Sequence, residues 1–247
     1  MRGYDIDMQA IFLAAGMGKR LGKHINKCML GVGDTTIFDN SVIALKKAGI
    51  TRLIVVTGYH AEQLEMFITE RTVGMDIIFV RNKDYASTNN IWSLYLAKDY
   101  LAADDTVLLE SDLFYRPTLI KELVDSQKQD IAVVSKWENW MDGTTVTLHG
   151  TEIEQFISKQ KLDLRNTDDL YKTVNIYKLS KQFSSKFFIP EMSAYISEYG
   201  KNDFYELVLG KIVQRKIASL FAHIICDKWY EIDTELDLKL AIEGVRI

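Results

Sequence analysis

The sequence of 247 residues is poor in several features that mark other protein classes. Its two cysteines, Cys28 and Cys226, are far apart and lack CxxC spacing, which excludes a disulfide framework and a cysteine zinc site. No apolar run approaches the roughly 18 residues that span a bilayer, and the N-terminus lacks the apolar segment of a signal peptide. The net charge of −4 lacks the basic excess of nucleic-acid-binding proteins. We therefore expect a cytoplasmic protein that binds neither membranes nor nucleic acids.

The chain does have a regular alternation of apolar and helical segments in its first half. Buried strands are indicated by near-continuous apolar runs, namely MQAIFLAA, TRLIVVTGY, GMDIIFVRN, DTVLLESD and DIAVVSKW. This alternation predicts an α/β fold with a Rossmann-like, mixed but mainly parallel sheet covered by helices. After about residue 137, further strands are predicted at TTVTLHG, TEIEQFIS, YKTVNIYKLS and SLFAHIICDKWYEID, and a last helix at TELDLKLAIEG. No linker interrupts the chain, so we expect one domain over residues 1–247.

The first apolar run ends in a glycine loop, LAAGMGKRL, at residues 13–21. Glycines after a strand let the backbone approach a ligand closely and point its N–H groups at phosphate oxygens. The loop lacks the Ser or Thr that ends a Walker P-loop, and Leu21 replaces the third glycine of a dinucleotide-binding motif. Both of those nucleotide-binding motifs are therefore disfavoured.

Positive charge follows the glycines. No acidic residue lies between positions 8 and 33, whereas five basic side chains fall within nine positions: Lys19, Arg20, Lys23, His24 and Lys27. Arginine suits a bidentate contact with phosphate and lysine a point charge, so the stretch favours a triphosphate ligand. By composition alone, a solvated basic loop after a buried strand explains the pattern equally well.

These residues also carry a family resemblance. The loop resembles the signature loop of the sugar-phosphate nucleotidyltransferase superfamily, which wraps the triphosphate of the incoming nucleotide, at Leu13, Ala14, Ala15, Gly16, Met17, Gly18, Lys19, Arg20 and Leu21, with Lys27 following. Asn26 stands where that family usually has a proline. Similarity continues through VVTGY, DYASTNNIWSLYLAK, LLESDLFY and YEIDTELDLKLA, and thus over nearly the whole chain. The resemblance implies a fold of the nucleotide-diphospho-sugar transferase type. We expect a nucleotide-binding half at about 8–136 and an acceptor-binding half at about 137–247.

Within the superfamily, the chain is most similar to the cytidylyltransferases that activate 2-aminoethylphosphonate or phosphocholine. The segment YASTNNIWSLYLA resembles their nucleotide loop, and YKTVNIYKLSKQF resembles the phosphonate-activating branch. This resemblance implies that CTP lies along the glycine loop, with its cytosine near Ser87, Thr88 and Asn89.

Two acids stand where predicted strands end, Asp112 after TVLLES and Asp233 after WYEI. Ligands of α/β proteins bind at the carboxyl ends of strands, and Mg²⁺ takes one or two carboxylates plus phosphate oxygens. The family resemblance places a metal-binding aspartate at both positions. Taken alone, Asp112 also fits a turn, and Asp233 or Thr234 also fits the N-cap of the last helix. Glu110 points the same way as Asp112 along a strand, and we expect it to support the nucleotide site.

The second half of the chain offers groups for an acceptor with an ammonium end and a phosphonate end. Carboxylates and aromatic faces attract an ammonium, and a cation–π contact contributes about 0.5–2 kcal/mol. The loop SKWENWMDGTT and the helix start NDFYELV provide such groups: Trp137, Glu138, Trp140, Asp142, Tyr205 and Glu206. Lys172 and Thr173 are candidates for phosphonate contacts. Plain packing is the alternative for the tryptophans, and an edge-strand role is the alternative for Lys172 and Thr173.

We therefore expect a CTP-dependent cytidylyltransferase that transfers CMP to 2-aminoethylphosphonate and releases pyrophosphate. The anionic acceptor oxygen attacks in line, so catalysis consists of positioning and of charge stabilisation by Mg²⁺, Lys27 and Arg20. Three alternatives stay open: phosphocholine as acceptor, a sugar 1-phosphate as acceptor, and a non-catalytic nucleotide-binding regulatory module. Fusion to a further domain beyond Ile247 also stays open.

Overall fold

The computed structural model describes residues 8–22, 25–163, 165 and 167–245. Lys23 and His24, two members of the predicted basic stretch, lie outside these residues. The first half of the chain forms β1 (Met8–Ala14), β2 (Gly31–Val32), β3 (Thr35–Thr36), α1 (Ile37–Lys47), β4 (Arg52–Thr57), α2 (Ala61–Arg71), β5 (Asp76–Arg81), α3 (Asn90–Leu96), α4 (Lys98–Leu101), β6 (Asp105–Glu110), β7 (Leu113–Phe114), α5 (Leu119–Asp125) and β8 (Ile131–Lys136). The second half forms β9 (Thr145–His149), β10 (Glu152–Ile157), β11 (Tyr171–Leu179), α6 (Lys181–Phe183), a π-helical turn (Ser184–Phe188), α7 (Ile189–Tyr199), α8 (Tyr205–Gln214), β12 (Phe221–Ile225), β13 (Tyr230–Glu231) and α9 (Glu235–Val245).

Nine strands form one mixed sheet in the order β5-β4-β1-β6-β11-β8-β12-β10-β9. Their pairings make seven strands run in one direction, while β10 and β11 oppose them. The predicted α/β fold with a mixed, mainly parallel sheet is therefore confirmed. The carboxyl ends of β1, β4, β5 and β6 meet at one edge, which is where proteins of this class bind their ligands.

Helices cover both faces of the sheet. On β1, Ala10 and Phe12 pack into the core under α1, α2 and α5, whereas Ile11 and Leu13 pack into the opposite core under α3, α7 and α8. Burial on both faces explains why β1 reads as a continuous apolar run rather than an alternating one. A smaller apolar cluster packs α9 against β2 and includes Leu21 of the glycine loop. None of the helices in the described residues is long and apolar enough to cross a membrane.

The predicted last strand, SLFAHIICDKWYEID, is wrong as a single element. β12 ends at Ile225 and β13 begins only at Tyr230, because the exposed residues 226–228 interrupt the apolar run. β13 instead pairs with β7 in a separate antiparallel ribbon, and the N–H of Ile232 donates to the carbonyl oxygen of Asp112 at 2.8 Å. This pairing brings Asp233 beside Asp112.

Gly58 directly follows β4 and allows two chain segments to approach closely at the same edge. A Cβ at this position would lie 2.8 Å from the carbonyl oxygen of Ala15 and 2.8 Å from the Cβ of Tyr85. The N–H of Tyr59 donates to that carbonyl oxygen at 3.1 Å, which ties the end of β4 to the glycine loop. The segment therefore requires glycine because backbone packs directly against backbone.

Gly58→Ala is expected to destabilise the protein by about 1–3 kcal/mol, because the added methyl group overpacks this junction. It should also displace the glycine loop and weaken CTP binding. Chemical unfolding measures the first effect and a CTP titration measures the second. Gly31→Ala is the control, since a Cβ there meets only the carbonyl oxygen of Thr35 at 4.0 Å. Equal stability of the two variants would contradict this account of Gly58.

Candidate active site

The cleft at the carboxyl edge of the sheet consists of two adjoining cavities. The first has a volume of about 510 Å³ and lies against the glycine loop, and the second has a volume of about 520 Å³. Five residues line both cavities and mark the place where they join: Arg20, Lys27, Asn90, Glu110 and Asp112. Ligands that occupy the two cavities would therefore meet at these residues.

The glycine loop forms one wall of the first cavity. Gly18 has a φ of 57° and Gly22 a φ of 62°, in the left-handed region that favours glycine. Between them, residues 19–21 form a single 3-10 turn whose Leu21 is buried and anchors the loop. A Cβ on Gly18 would lie 3.1 Å from the Cγ of Lys27, so this glycine also leaves room for the lysine. The cavity wall includes all the loop residues except the buried Leu21: Leu13, Ala14, Ala15, Gly16, Met17, Gly18, Lys19 and Arg20.

Lys27 is shared by the two acids that the sequence singled out. Its Nζ donates to Oδ2 of Asp112 at 2.8 Å and to Oδ1 of Asp233, and Nη2 of Arg20 donates to Oδ2 of Asp233 at 2.7 Å. The side chains of Lys27, Asp112 and Asp233 are 15%, 14% and 16% exposed. Burial lowers the pKa of the Lys27 ammonium, but the charges and hydrogen bonds of both acids outweigh burial and raise the pKa above its ordinary value. Lys27 is therefore a permanent positive charge at the junction of the cavities.

Asp233 does not serve as the cap of α9. Oδ2 of Asp237 accepts from the N–H of Thr234 at 2.7 Å, and Oγ1 of Thr234 accepts from the N–H of Asp237 at 3.2 Å. This reciprocal pair is a capping box, in which Thr234 is the N-cap. Both carboxylate oxygens of Asp233 instead contact Lys27 and Arg20. The capping alternative left open by the sequence therefore applies to Thr234.

The chemistry of Asp112 and Asp233 fits a magnesium ion. Oδ1 of Asp112 is buried and has no hydrogen-bond partner among the described residues. Such an oxygen calls for a partner from outside the protein. Mg²⁺ commonly binds one or two carboxylates and completes its shell with phosphate oxygens and water. The described part of the chain contains no cluster of three or more His, Cys, Asp or Glu that could hold a metal ion.

Another wall of the first cavity is formed by residues that come after β5 in the chain. Of the three residues predicted near the base, Thr88 and Asn89 line the first cavity, whereas Ser87 is not among its lining residues. Sequence reasoning missed Asn82, a buried residue whose Nδ2 donates to Oγ1 of Thr88 at 3.0 Å and to Oγ of Ser93 at 3.1 Å. Its place as the last residue of the predicted strand GMDIIFVRN was the signal that could have found it.

Predicted acceptor residues contribute to the second cavity in two ways. Asp142, Lys172 and Glu206 line it. Thr173 and Tyr205 are fully buried instead. The hydroxyl of Tyr205 donates to Oε1 of Glu110 at 3.0 Å, so this tyrosine supports the wall rather than facing the ligand.

The two predicted tryptophans lie outside both cavities. Trp140 is 65% exposed, its Nε1 donates to Oε2 of Glu138 at 2.9 Å, and both residues line a separate surface groove. Trp137 is half-buried and is not among the residues that line either cavity. This loop reaches the second cavity only from Asp142 onward. The structure therefore does not support the ammonium-binding role predicted for Trp137 and Trp140.

The basic side chains around the second cavity are already paired with acids. Besides the Lys27 and Arg20 contacts, Nζ of Lys159 lies 2.9 Å from Oδ1 of Asp142, and Nζ of Lys172 lies 3.3 Å from Oε2 of Glu231. Lys172 is a buried lysine, and its Nζ also donates to the carbonyl oxygen of Thr173 at 2.7 Å. Each of these lysines thus already has an acidic partner within the protein.

Glu110 and Glu206, by contrast, are held together by a neutral side chain. Nδ2 of Asn90 donates to Oε1 of Glu110 at 2.9 Å and to Oε2 of Glu206 at 3.4 Å. Burial raises the pKa of both carboxyl groups, and the charge of Glu206 raises that of Glu110 further. A cationic group of a ligand would add to the attraction that Lys172 exerts on Glu206.

Three more residues of the second cavity, Asp203, Phe204 and Glu231, were not predicted from the sequence. Asp203 accepts from the hydroxyl of Tyr195 at 2.6 Å, and Phe204 is 49% exposed just before α8. Burial raises the pKa of Glu231 to about 6 against the attraction of Lys172. An aromatic residue directly after an acid, in the segment NDFYELV, was the available signal for the first two.

Known proteins share both this sequence pattern and this fold. The chain is 25% identical over 242 residues to CMP-5'-(3-aminopropyl)phosphonate synthase of Streptomyces rubellomurinus, and the alignment covers 96% of this chain and 38% of that protein. It is 27% identical over 255 residues to CTP:phosphoglutamine cytidylyltransferase of Campylobacter jejuni, and the alignment covers 96% of this chain and 100% of that protein. The chain therefore spans less than half of the first relative and all of the second.

The solved structure of CTP:phosphocholine cytidylyltransferase from Streptococcus pneumoniae has the same fold. Its TM-score is 0.77 at 20% identity, with 96% of this chain and 99% of that chain covered. The MobA-like NTP transferase domain family matches residues 10–206, which include the glycine loop, Lys27 and Asp112. This protein is therefore a member of the MobA-like NTP transferase domain family of nucleotidyltransferases.

Proposed function

We propose that this protein is a CTP-dependent cytidylyltransferase that transfers CMP to a small zwitterionic phosphonate, specifically 2-aminoethylphosphonate, and releases pyrophosphate. The proposal depends on one observation: a glycine-loop cavity and an acid-rich cavity meet at Lys27 and Asp112. The names of the relatives support this class of reaction, since they concern a CMP-aminoalkylphosphonate, phosphoglutamine and phosphocholine.

The first cavity suits the nucleotide. A wall of backbone with little side chain leaves its N–H groups accessible to phosphate oxygens, and Arg20 adds a planar guanidinium that matches phosphate geometry. The cytosine lies against Thr88 and Asn89, which offer both donors and acceptors to the edge of a pyrimidine. Asn82 holds this wall in place through Thr88.

Asp112 and Asp233 are the residues that would hold Mg²⁺. When bound, the ion supplies positive charge and polarises phosphate oxygens. Lys27 contributes a second, permanent positive charge at the same place. It also offsets the repulsion between two partly buried carboxylates that must stay close together.

The transfer itself needs no nucleophile or general base from the protein. The acceptor's phosphonate oxygen is already anionic and forms a bond to the α-phosphorus of CTP. The bond from that phosphorus to the pyrophosphate oxygen breaks, and its electron pair leaves with pyrophosphate. Lys27 and Arg20 stabilise the charge that develops on the phosphate oxygens, while the two cavities hold the reactants in line.

The second cavity suits an acceptor with separated charges. Its phosphonate end must lie at the junction with the first cavity, near Lys27 and Arg20, because the new bond forms there. Its ammonium end then meets Glu110 and Glu206, the acids whose shared hydrogen-bond donor, Asn90, is neutral. A primary ammonium has three N–H donors for these carboxyl groups.

Phosphocholine is a second candidate acceptor, and Phe204 is the residue that favours it. A quaternary ammonium has no N–H donor and relies on charge and aromatic faces. Phe204 is 49% exposed and lines the second cavity next to Asp203. Phosphocholine would therefore use this aromatic side chain more than the Glu110–Glu206 pair.

An acceptor panel tests the proposed function directly. The protein is incubated with CTP, Mg²⁺ and either 2-aminoethylphosphonate, phosphocholine or a sugar 1-phosphate, and pyrophosphate release is measured. We expect the highest kcat/KM with 2-aminoethylphosphonate. A preference for the sugar 1-phosphate, or no release with any acceptor, would contradict the proposal.

Asp112→Asn and Asp233→Asn are each expected to lower kcat by at least ~100-fold, because the metal supplies several kcal/mol of charge stabilisation. Asp237→Asn is the matched control, since it weakens the capping box of α9. It should cost about 1 kcal/mol of stability and leave kcat near that of the wild type. Pyrophosphate release at saturating Mg²⁺ and chemical unfolding are measured for all three variants. Near-normal turnover of Asp233→Asn would remove that residue from the metal site.

Lys27→Ala is expected to lower kcat more than it raises the KM for CTP, because the ammonium acts mainly on charge that develops during transfer. Steady-state kinetics in CTP separate the two effects. Lys27→Arg is the control, because it retains a positive charge between the acids. Its stability shows whether charge alone is sufficient to maintain the fold. A loss confined to KM would instead make Lys27 a contact that binds substrate and transition state equally.

Glu206→Gln is expected to raise stability while lowering the use of 2-aminoethylphosphonate. The raised pKa means that protonated Glu206 stabilises the fold at low pH, and that this contribution is lost as pH rises through the raised value. Glutamine has no proton to lose, so the stability of the variant relative to the wild type should increase as the pH rises above the ordinary pKa of glutamate, 4.5. The acceptor KM should rise roughly 10-fold or more through loss of a charged hydrogen bond.

Chemical unfolding as a function of pH and acceptor kinetics at saturating CTP provide the two measurements. Glu198→Gln, an exposed acid on α7, is the control and should change neither. Wild-type acceptor kinetics for Glu206→Gln would mean that Glu206 does not contact the amine.

A further inference from the structure

Asn175 has an unusual backbone conformation for a residue inside a strand. Its φ is 60°, in the left-handed region that L-residues other than glycine rarely adopt. The other non-glycine residues with positive φ in the described part of the chain are His60, next to the start of α2, and Lys216, just after α8. Asparagine tolerates this conformation better than most residues, but it remains strained.

The conformation of Asn175 coincides with a bulge in β11. Thr173 pairs with Val134 and Tyr177 pairs with Ala132, so four steps along β11 match two steps along β8. On the other side, β11 pairs with β6 only as far as Ile176. Bulges next to active sites commonly re-aim a side chain. This bulge lies where β6 ends, next to Glu110 and the cleft.

The side chain of Asn175 lines the second cavity and is nevertheless largely buried, since the residue is 8% exposed. Its Oδ1 accepts a hydrogen bond from Oγ1 of Thr173 at 3.1 Å. The single proton of the Thr173 hydroxyl is divided between this oxygen and the carbonyl oxygen of Thr144, also at 3.1 Å. The amide nitrogen of Asn175 lies at the other end of the side chain and is the end that remains for the cavity. An amide nitrogen donates hydrogen bonds and does not accept them.

We propose that Asn175 is an acceptor-binding residue whose amide nitrogen donates to a phosphonate or phosphate-ester oxygen of the acceptor. The chemistry of the acceptor selects this end, because its ammonium only donates hydrogen bonds whereas its phosphonate oxygens accept them. Thr173 is then a positioning residue that orients the amide. This inference rests on the proposed function and identifies how the second cavity aligns the reacting group.

Asn175→Gly is the central test. Glycine adopts the same φ without strain, so the variant should unfold at a temperature equal to or above that of the wild type. Loss of a hydrogen bond to a charged group should lower kcat/KM for 2-aminoethylphosphonate roughly 10- to 100-fold, with the KM for CTP unchanged. Lys216→Gly is the matched control, because it makes the same change at an exposed left-handed position outside both cavities. It should keep wild-type acceptor kinetics.

Asn175→Asp tests the direction of the amide. Aspartate has the same shape and also tolerates the left-handed conformation, but it replaces the donor with a negative charge. We expect a larger loss of acceptor use than for Asn175→Gly, because the carboxylate repels the phosphonate. Tighter binding of 2-aminoethylphosphonate by Asn175→Asp would mean that this side chain faces the ammonium, and it would overturn the proposal.

Calorimetric titration with 2-aminoethylphosphonate, with and without CTP, separates this inference from the proposed function. A wild-type protein that binds the acceptor but releases no pyrophosphate would refute the proposed function, while the binding constants of the variants would still decide the role of Asn175. Turnover by the wild type with identical acceptor KM for Asn175→Gly would refute the inference and leave the proposed function standing. Absence of acceptor binding by the wild type would refute both.

Discussion

The rest of the site depends on one shared charge, the Lys27 ammonium between Asp112 and Asp233. Two partly buried carboxylates at this distance would repel each other without it. The lysine reaches them because Gly18 has no side chain in its way, and the acids come together because β13 pairs with β7. Several local features of the fold thus serve one contact. That contact lies where the two cavities join, which is where the proposed bond formation takes place.

Several residues that line the second cavity are expected to lower the stability of the fold. Glu110 and Glu206 have Asn90 as their shared neutral partner, Glu231 lies near the charges of Asp112 and Asp233, and Asn175 has a strained backbone. Arg20, Lys27, Lys159 and Lys172, by contrast, each have an acidic partner in the cleft. Proteins commonly keep such costs where a ligand supplies the missing partner. The distribution of these costs is what the proposed zwitterionic acceptor would require.

Sequence reasoning succeeded where the relevant residues are neighbours in the chain. The apolar run of β1, the glycine loop and the cations after it follow local patterns, and Asp112 stands at a recognisable strand end. It failed for the last strand, because three exposed residues divide β12 from β13. It also assigned Trp137 and Trp140 to the acceptor, although neither residue lines the second cavity. Composition shows that a loop is aromatic and acidic, but it does not show which side chains turn toward a cavity.

By itself, the sequence determined the fold class and the places of the glycine loop and of the acids at strand ends, because periodicity, glycine conformation and charge are properties of short segments. The capping role at α9 was open until the structure assigned it to Thr234 and left Asp233 with Lys27. Tertiary structure alone decided which acids share a cation, which acids share only an amide, and which residue of β11 faces the cleft. These outcomes depend on strand pairing between distant segments and on a bulge of two residues, and neither leaves a periodic signal in the chain.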